Sequence, residues 1–231
     1  MSEAAATGEP ADWFTRDRLT RIGVVLFFFV FEVFLVRGLV TGLRTTATIY
    51  SPLALSHLLA TACLTLFVAM MLALTIVRDQ PRLRAAGAQP RIFALIGTNI
   101  ILLSVFFLPA RSPPGIYGSV VSSALILASN ILCVVVLRRL GRSFSIMAEA
   151  RALVTDGPYA LVRHPLYLVE EIGILGAFIQ IASWPAAVLF LAHFAVQVQR
   201  MRNEEGVLMQ AFPREYQAYA ARTARFIPYL W

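Results

Sequence analysis

The chain has 231 residues, 58% of them hydrophobic and 14% charged, with a mean hydropathy of +0.72 and a net charge of +7. A soluble domain carries about 45–50% apolar and about 25% charged residues, so this composition excludes an ordinary soluble domain and predicts an integral membrane protein. All 20 basic residues are arginine and lie between apolar blocks, where they orient a chain in a bilayer and do not point to nucleic acid.

In chain order, residues 1–21 form a polar tail and an interfacial segment, with Trp13 and Phe14 placed at the headgroups. The tail lacks the basic start and immediate apolar core of a signal peptide. Residues 22–140 hold four apolar blocks, at 22–40, 53–77, 92–108 and 116–137. Each meets the length of about 17–25 residues that a spanning helix needs. The next apolar run, 166–198, is interrupted by Ser183, Trp184 and Pro185. Proline suits the first turn of a new helix, so the run reads as a hairpin of helices at 166–182 and 185–202. A short amphipathic helix follows from Pro213. The expected fold is an all-α, polytopic membrane helical bundle. It has about five to six transmembrane helices, including a C-terminal helical hairpin, plus the short cytoplasmic C-terminal helix.

Arginine placement sets the expected orientation. Arg16, Arg18 and Arg21, then Arg78, Arg82, Arg84 and Arg91, then Arg138, Arg139, Arg142, Arg151 and Arg163 fall on one side. Arg37, Arg44 and Arg111 fall on the other. Both termini are therefore expected in the cytoplasm. Within the first spans, Glu32, His57 and Asn99 read as helix–helix hydrogen bonds or end positions. Gly38 and Gly42 read as a close-packing pair. Cys63 and Cys133 have no second Cys or His at ligand spacing, which gives no metal motif and no disulfide framework; they read as small buried hydrophobes.

The polar chemistry gathers in residues 141–231. His193, Gln197, Arg200 and Glu204 follow one another at helical spacing on one face that starts at membrane depth. An Arg200–Glu204 ion pair explains half of that stripe; a polar cavity lining explains all of it. Upstream, "GPYALVRHPLYLVEE" opens an apolar block with Arg163 and His164, places Pro165 in the first helical turn, and sets Tyr167, Glu170 and Glu171 on a shared face. Ionisable groups at such a position are costly in lipid and mark function. Two structural readings stand beside that one. Tyr159, Arg163 and Tyr167 can anchor the interface, and Glu170 or Glu171 can pair with a loop arginine.

"GPYALVRHPLY", then "RMRNEEGVL", then "FPREYQAYAARTARFIP" together resemble the isoprenylcysteine carboxyl methyltransferase and phospholipid methyltransferase superfamily of integral membrane enzymes. The resemblance covers roughly residues 141–228. It implies a cytoplasm-facing pocket for S-adenosylmethionine built from the C-terminal part, and a membrane lipid or prenylated acceptor. It implies further that His164, Tyr167, Glu204 and Glu205 contact the cofactor, with Gly157, Pro158 and Tyr159 forming the adjoining loop. Arg163 and Arg200 are implied for the cofactor carboxylate or the acceptor. Many members have a small residue where this chain has Val169, Glu170 and Glu171, and an added carboxylate there suits a cationic or amine headgroup. The residue chemistry agrees. Carboxylates bind an ammonium or a diol, arginine binds a carboxylate, and tyrosine faces a sulfonium or an adenine. A protonated amine acceptor needs a base, for which His164, Glu170 and Glu171 are candidates. The residues expected to carry catalysis are Arg200, Glu204, His164 and Glu171. An NADPH-dependent sterol-type reductase and a non-catalytic lipid-binding or transport protein are the two alternatives.

Overall fold

A computed structural model describes residues 10–46, 52–107 and 115–228. Seven helices are described: α1 (Pro10–Thr46), α2 (Pro52–Val77), α3 (Gln89–Phe107), α4 (Ile116–Leu140), α5 (Pro165–Ile181), α6 (Trp184–Ala211) and α7 (Pro213–Ala220). The helices cover the expected apolar blocks, and the fold is a helical membrane bundle. Three of them are long and apolar enough to cross a bilayer among the described residues, over Arg21–Arg44, Leu58–Val77 and Tyr117–Ser143. Large apolar side chains such as Phe29, Phe34, Leu66, Val120 and Leu191 point outward from the bundle. A water-facing surface would hide them, whereas a lipid-facing one does not.

α1 runs further back than the interfacial segment expected from the sequence. Its helix is continuous from Pro10, so Trp13 and Phe14 belong to the same rod as the first span. Residues 1–9 lie outside the described part, as do the side chains of His57 and Asn99. Glu32 is half-buried on α1, and its Oε2 has no hydrogen-bond partner among the described residues.

α4 is the central helix, packed on α5 and α2; α1 packs on α2 and α3 on α6. The α4–α5 contact is close because α5 carries glycines against small α4 residues. A Cβ on Gly173 would stand 2.5 Å from Ser129 Oγ, and one on Gly176 would stand 2.9 Å from the Ser122 carbonyl. Ser129 and Ser122 donate in turn to the carbonyls of Val169 and Gly176. The expected close-packing pair on α1 behaves differently: a Cβ on Gly38 would meet nothing, and one on Gly42 would come within 3.2 Å of Leu58.

α5 and α6 meet at Ala182 and Ser183. Ala182 adopts the left-handed conformation with φ 40°, and Ser183 caps α6 by accepting from the Ala186 amide. Partner residues on α6 move toward its C-terminus as those on α5 move toward its N-terminus, so the two helices run antiparallel. Two short strands, β1 (Leu83–Arg84) and β2 (Glu149–Ala150), pair antiparallel and tie the α2–α3 connection to the α4–α5 connection. After α7 the chain returns along the start of α5. Val162 pairs with Ala224, and the Arg163 and His164 amides donate to the Ala224 and Arg225 carbonyls.

Candidate functional site

His164 stands at the N-cap position of α5 without a side-chain capping bond, and Pro165 follows in the first turn, so local sequence fixes where its ring leaves the helix. From that point Tyr167 and Glu170 rise along α5 and meet α6. The Tyr167 hydroxyl donates to Glu204, its ring stacks on His164 with centroids 5.7 Å apart, and the Arg200 guanidinium lies 4.8 Å over the same ring. Gln197 links the two helices: it donates to Glu170 at 3.1 Å and accepts from Arg200 at 2.9 Å. His193 stands deeper, with Nδ1 2.8 Å from Glu171 and Nε2 3.2 Å from the Gly97 carbonyl of α3. The stripe His193, Gln197, Arg200 therefore faces the protein interior and is buried throughout.

A second set of contacts gathers the loops. Arg163 donates to Glu205 at 2.9 Å and to the carbonyls of Ala220 and Thr223, where its charge meets the C-terminal end of α7. Arg225 binds the same carboxylate, and His164 Nε2 lies 3.3 Å from it. Burial alone would push the Glu205 carboxyl up. Hydrogen bonds from His164 and Arg225, the charge of His164 and the Arg163 hydrogen bond outweigh it and hold the group well below the usual carboxylate range. Tyr219 of α7 donates to the Tyr159 carbonyl at 2.7 Å. Burial pushes its hydroxyl up to about 12 against the opposing charges of Arg163 and Arg222, so it stays a donor across the neutral range.

Many of these residues border a cavity of about 500 Å3. One wall is polar, with Tyr159, Arg163, His164, Tyr167, Glu170, Arg200 and Glu204. The other is apolar, from Phe27, Phe28 and Phe31 of α1 and Leu64, Phe67 and Met71 of α2. Of the polar residues singled out in the sequence, the structure brings Tyr159, Arg163, His164, Tyr167, Glu170, His193, Arg200 and Glu204 to this one space. Glu205 sits behind the wall, occupied by Arg163, His164 and Arg225. Glu171 is also off the wall, since its Oε1 is turned to His193 and the residue is buried between helices. Gly157 and Pro158 shape the 3-10 turn that presents Tyr159. Gly157 has φ 59°, which favours glycine; the atoms a Cβ would meet belong to the exposed, movable Arg139 side chain.

Other wall residues gave no sequence signal. Ser143, Ser145, Glu149 and Arg151 lie in a polar connection without a recognisable spacing. Gly97 had one available clue, a glycine inside an apolar helix. A Cβ on it would stand 2.8 Å from Arg200 Cδ, so its absence gives the arginine its seat.

Fold and site thus define a helical integral membrane protein enclosing an amphiphilic, charge-bearing cavity. Comparison with known proteins narrows the class. Residues 122–210 match the model of the isoprenylcysteine carboxyl methyltransferase (ICMT) family. The cobalt-zinc-cadmium resistance protein CzcN of Cupriavidus metallidurans is 46% identical over 79 residues, 34% of this chain and 36% of that protein. The protein-S-isoprenylcysteine O-methyltransferase of Schizosaccharomyces pombe is 37% identical over 94 residues, 38% of this chain and 40% of its own length. Protein-S-isoprenylcysteine O-methyltransferase B of Arabidopsis thaliana is 30% identical over 112 residues, 46% of this chain and 57% of its own length. The matched stretches thus span between 36% and 57% of these relatives. The solved structure of the eukaryotic intramembrane Ras methyltransferase ICMT superposes with a TM-score of 0.55 at 20% identity, covering 96% of this chain and 87% of that one. At that identity the superposition shows a shared fold.

Proposed function

We propose that the protein is an integral membrane, S-adenosylmethionine-dependent methyltransferase acting on a lipid or prenylated, isoprenylcysteine-like acceptor. The observation that carries this reading is the continuity of a charged wall and an apolar wall around one cavity. A water-soluble cofactor and an amphiphile need that combination to meet. The names of the fungal and plant relatives support a prenylated acceptor methylated on oxygen. Both termini lie in the cytoplasm on this reading, as the arginine distribution favours, and the cofactor enters from that side.

The residues present fit the cofactor's chemistry. Glu204 is a carboxylate on the cavity wall suited to an ammonium or a diol, and Tyr159 and Tyr167 offer aromatic faces. When bound, S-adenosylmethionine supplies a methyl group already activated on a sulfonium. The chain then contributes binding, alignment and exclusion of water. His164, Tyr167 and Glu204 hold the cofactor side, and Arg200, seated against Tyr167 and Gln197, orients the acceptor. Arg163 and Glu205 act through the loop architecture, and Glu171 acts through His193. A carboxylate acceptor needs no base; an amine acceptor would call on His164 or Glu170.

The test is incubation of purified protein with methyl-labelled S-adenosylmethionine, offered either a prenylcysteine or total membrane lipid, with mass identification of the labelled product. Label in a prenylcysteine ester or a lipid is expected. No transfer to either acceptor would overturn the proposal.

A further inference from the structure

Arg163, a candidate for the cofactor carboxylate on sequence grounds, commits its Nε to Glu205 and its Nη1 to two backbone carbonyls. Arg200 serves the acceptor on the reading above, and its Nη1 is already given to Gln197, which in turn donates to Glu170. A different arginine is better placed. Arg151 follows β2, its side chain is 1% exposed, and it is among the residues that border the cavity. Its Nε donates to the Asp79 carbonyl at 2.7 Å and its Nη2 to Glu149 at 2.5 Å. Its Nη1 is buried and has no hydrogen-bond partner among the described residues.

The negative charge that Arg151 leans on is divided. Glu149 also receives Arg84 at 3.3 Å, Arg78 at 3.9 Å and the Ser145 hydroxyl at 2.8 Å. A buried guanidinium with an unmade hydrogen bond and a shared counter-ion is costly, and an anion at Nη1 removes that cost. Two partners hold the guanidinium plane, so the remaining N–H keeps one orientation before any ligand arrives. Pre-aimed donors bind anions without an ordering penalty.

We propose that Arg151 forms a carboxylate-binding subsite at the β2 end of the cavity and takes the aminoacyl carboxylate of the cofactor. This inference rests on the methyltransferase reading. It assigns a ligand-binding role to Arg151, just after β2 and upstream of the Gly157 motif, in a stretch that carries no motif of its own.

The test compares S-adenosylmethionine with its decarboxylated form, which lacks only the carboxylate. Calorimetric binding in detergent is measured for wild type, Arg151→Gln and Arg151→Lys, with melting temperatures recorded alongside. Wild type is expected to prefer the carboxylated ligand at least tenfold. Arg151→Gln is expected to weaken that ligand by tenfold or more while leaving the decarboxylated form within about twofold; Arg151→Lys is expected to keep part of the preference. Equal affinity of wild type for both ligands, or equal loss of both in Arg151→Gln, would overturn the subsite. If Arg151→Gln does not fold, Arg151→Lys decides: an unreduced preference overturns the assignment and a reduced one supports it. Wild type that binds neither ligand defeats the cofactor reading itself, and the subsite with it.

Discussion

Glu205 receives Arg163, Arg225 and His164 at once, and through them joins the start of α5, the end of α6 and the returning tail. Removing the shared carboxylate from this part-buried cluster costs about 1–3 kcal/mol, because its three partners lose their counter-ion. The carboxyl is held below its ordinary range, so its contribution is full above the unfolded-state value and is lost as pH falls through the native one. Glu205→Gln should therefore lower the melting temperature clearly at neutral pH. The gap from wild type should narrow as pH falls below about 4.5 and should close in strong acid. Thermal melts in detergent across that range check it; a pH-independent gap would count against the charge cluster. The sequence marked Glu204 and Glu205 as a pair of similar function. Their division, one on the cavity wall and one behind it, follows from which face of α6 meets the returning tail, a contact between segments far apart in the chain.

At the scale of elements, hydropathy and proline placement located the helices well. Apolar length alone sets a span, and Pro165, Pro185 and Pro213 each open a helix as the local rule predicts. Helix packing was less legible. Small-residue spacing drew attention to Gly38 and Gly42, whereas the close contact forms where Gly173 and Gly176 meet serines of α4. Pairing depends on the partner surface, which one helix's spacing does not contain. Gly176→Ala should destabilise the protein. A Cβ there presses on a backbone carbonyl, and overpacking of about 1–3 kcal/mol exceeds the gain of about 1 kcal/mol in helix propensity. Gly23→Ala, where the new Cβ meets nothing, should be neutral or stabilising. The melting temperature should fall for Gly176→Ala and should hold or rise for Gly23→Ala.

Across the whole molecule, elements distant in sequence build one amphiphilic space. α1 and α2 supply its apolar wall, α5 and α6 its charges, and α7 with the tail fastens the charged end. "GPYALVRHPLYLVEE" and the stripe on α6 were readable because helical spacing places their polar groups together. Arg151, Glu149 and Gly97 were not, because their roles arise only when loops and helices close around the cavity. Of the two carboxylates left open in the sequence, Glu170 lies on the cavity wall and Glu171 is taken by His193. The central claim is that this space holds S-adenosylmethionine against Glu204. Calorimetric binding in detergent by wild type and Glu204→Gln tests it most directly. Saturable binding by wild type, weakened at least tenfold in Glu204→Gln with an unchanged melting temperature, is the predicted result; wild type that does not bind, or a variant that binds as well, would contradict it.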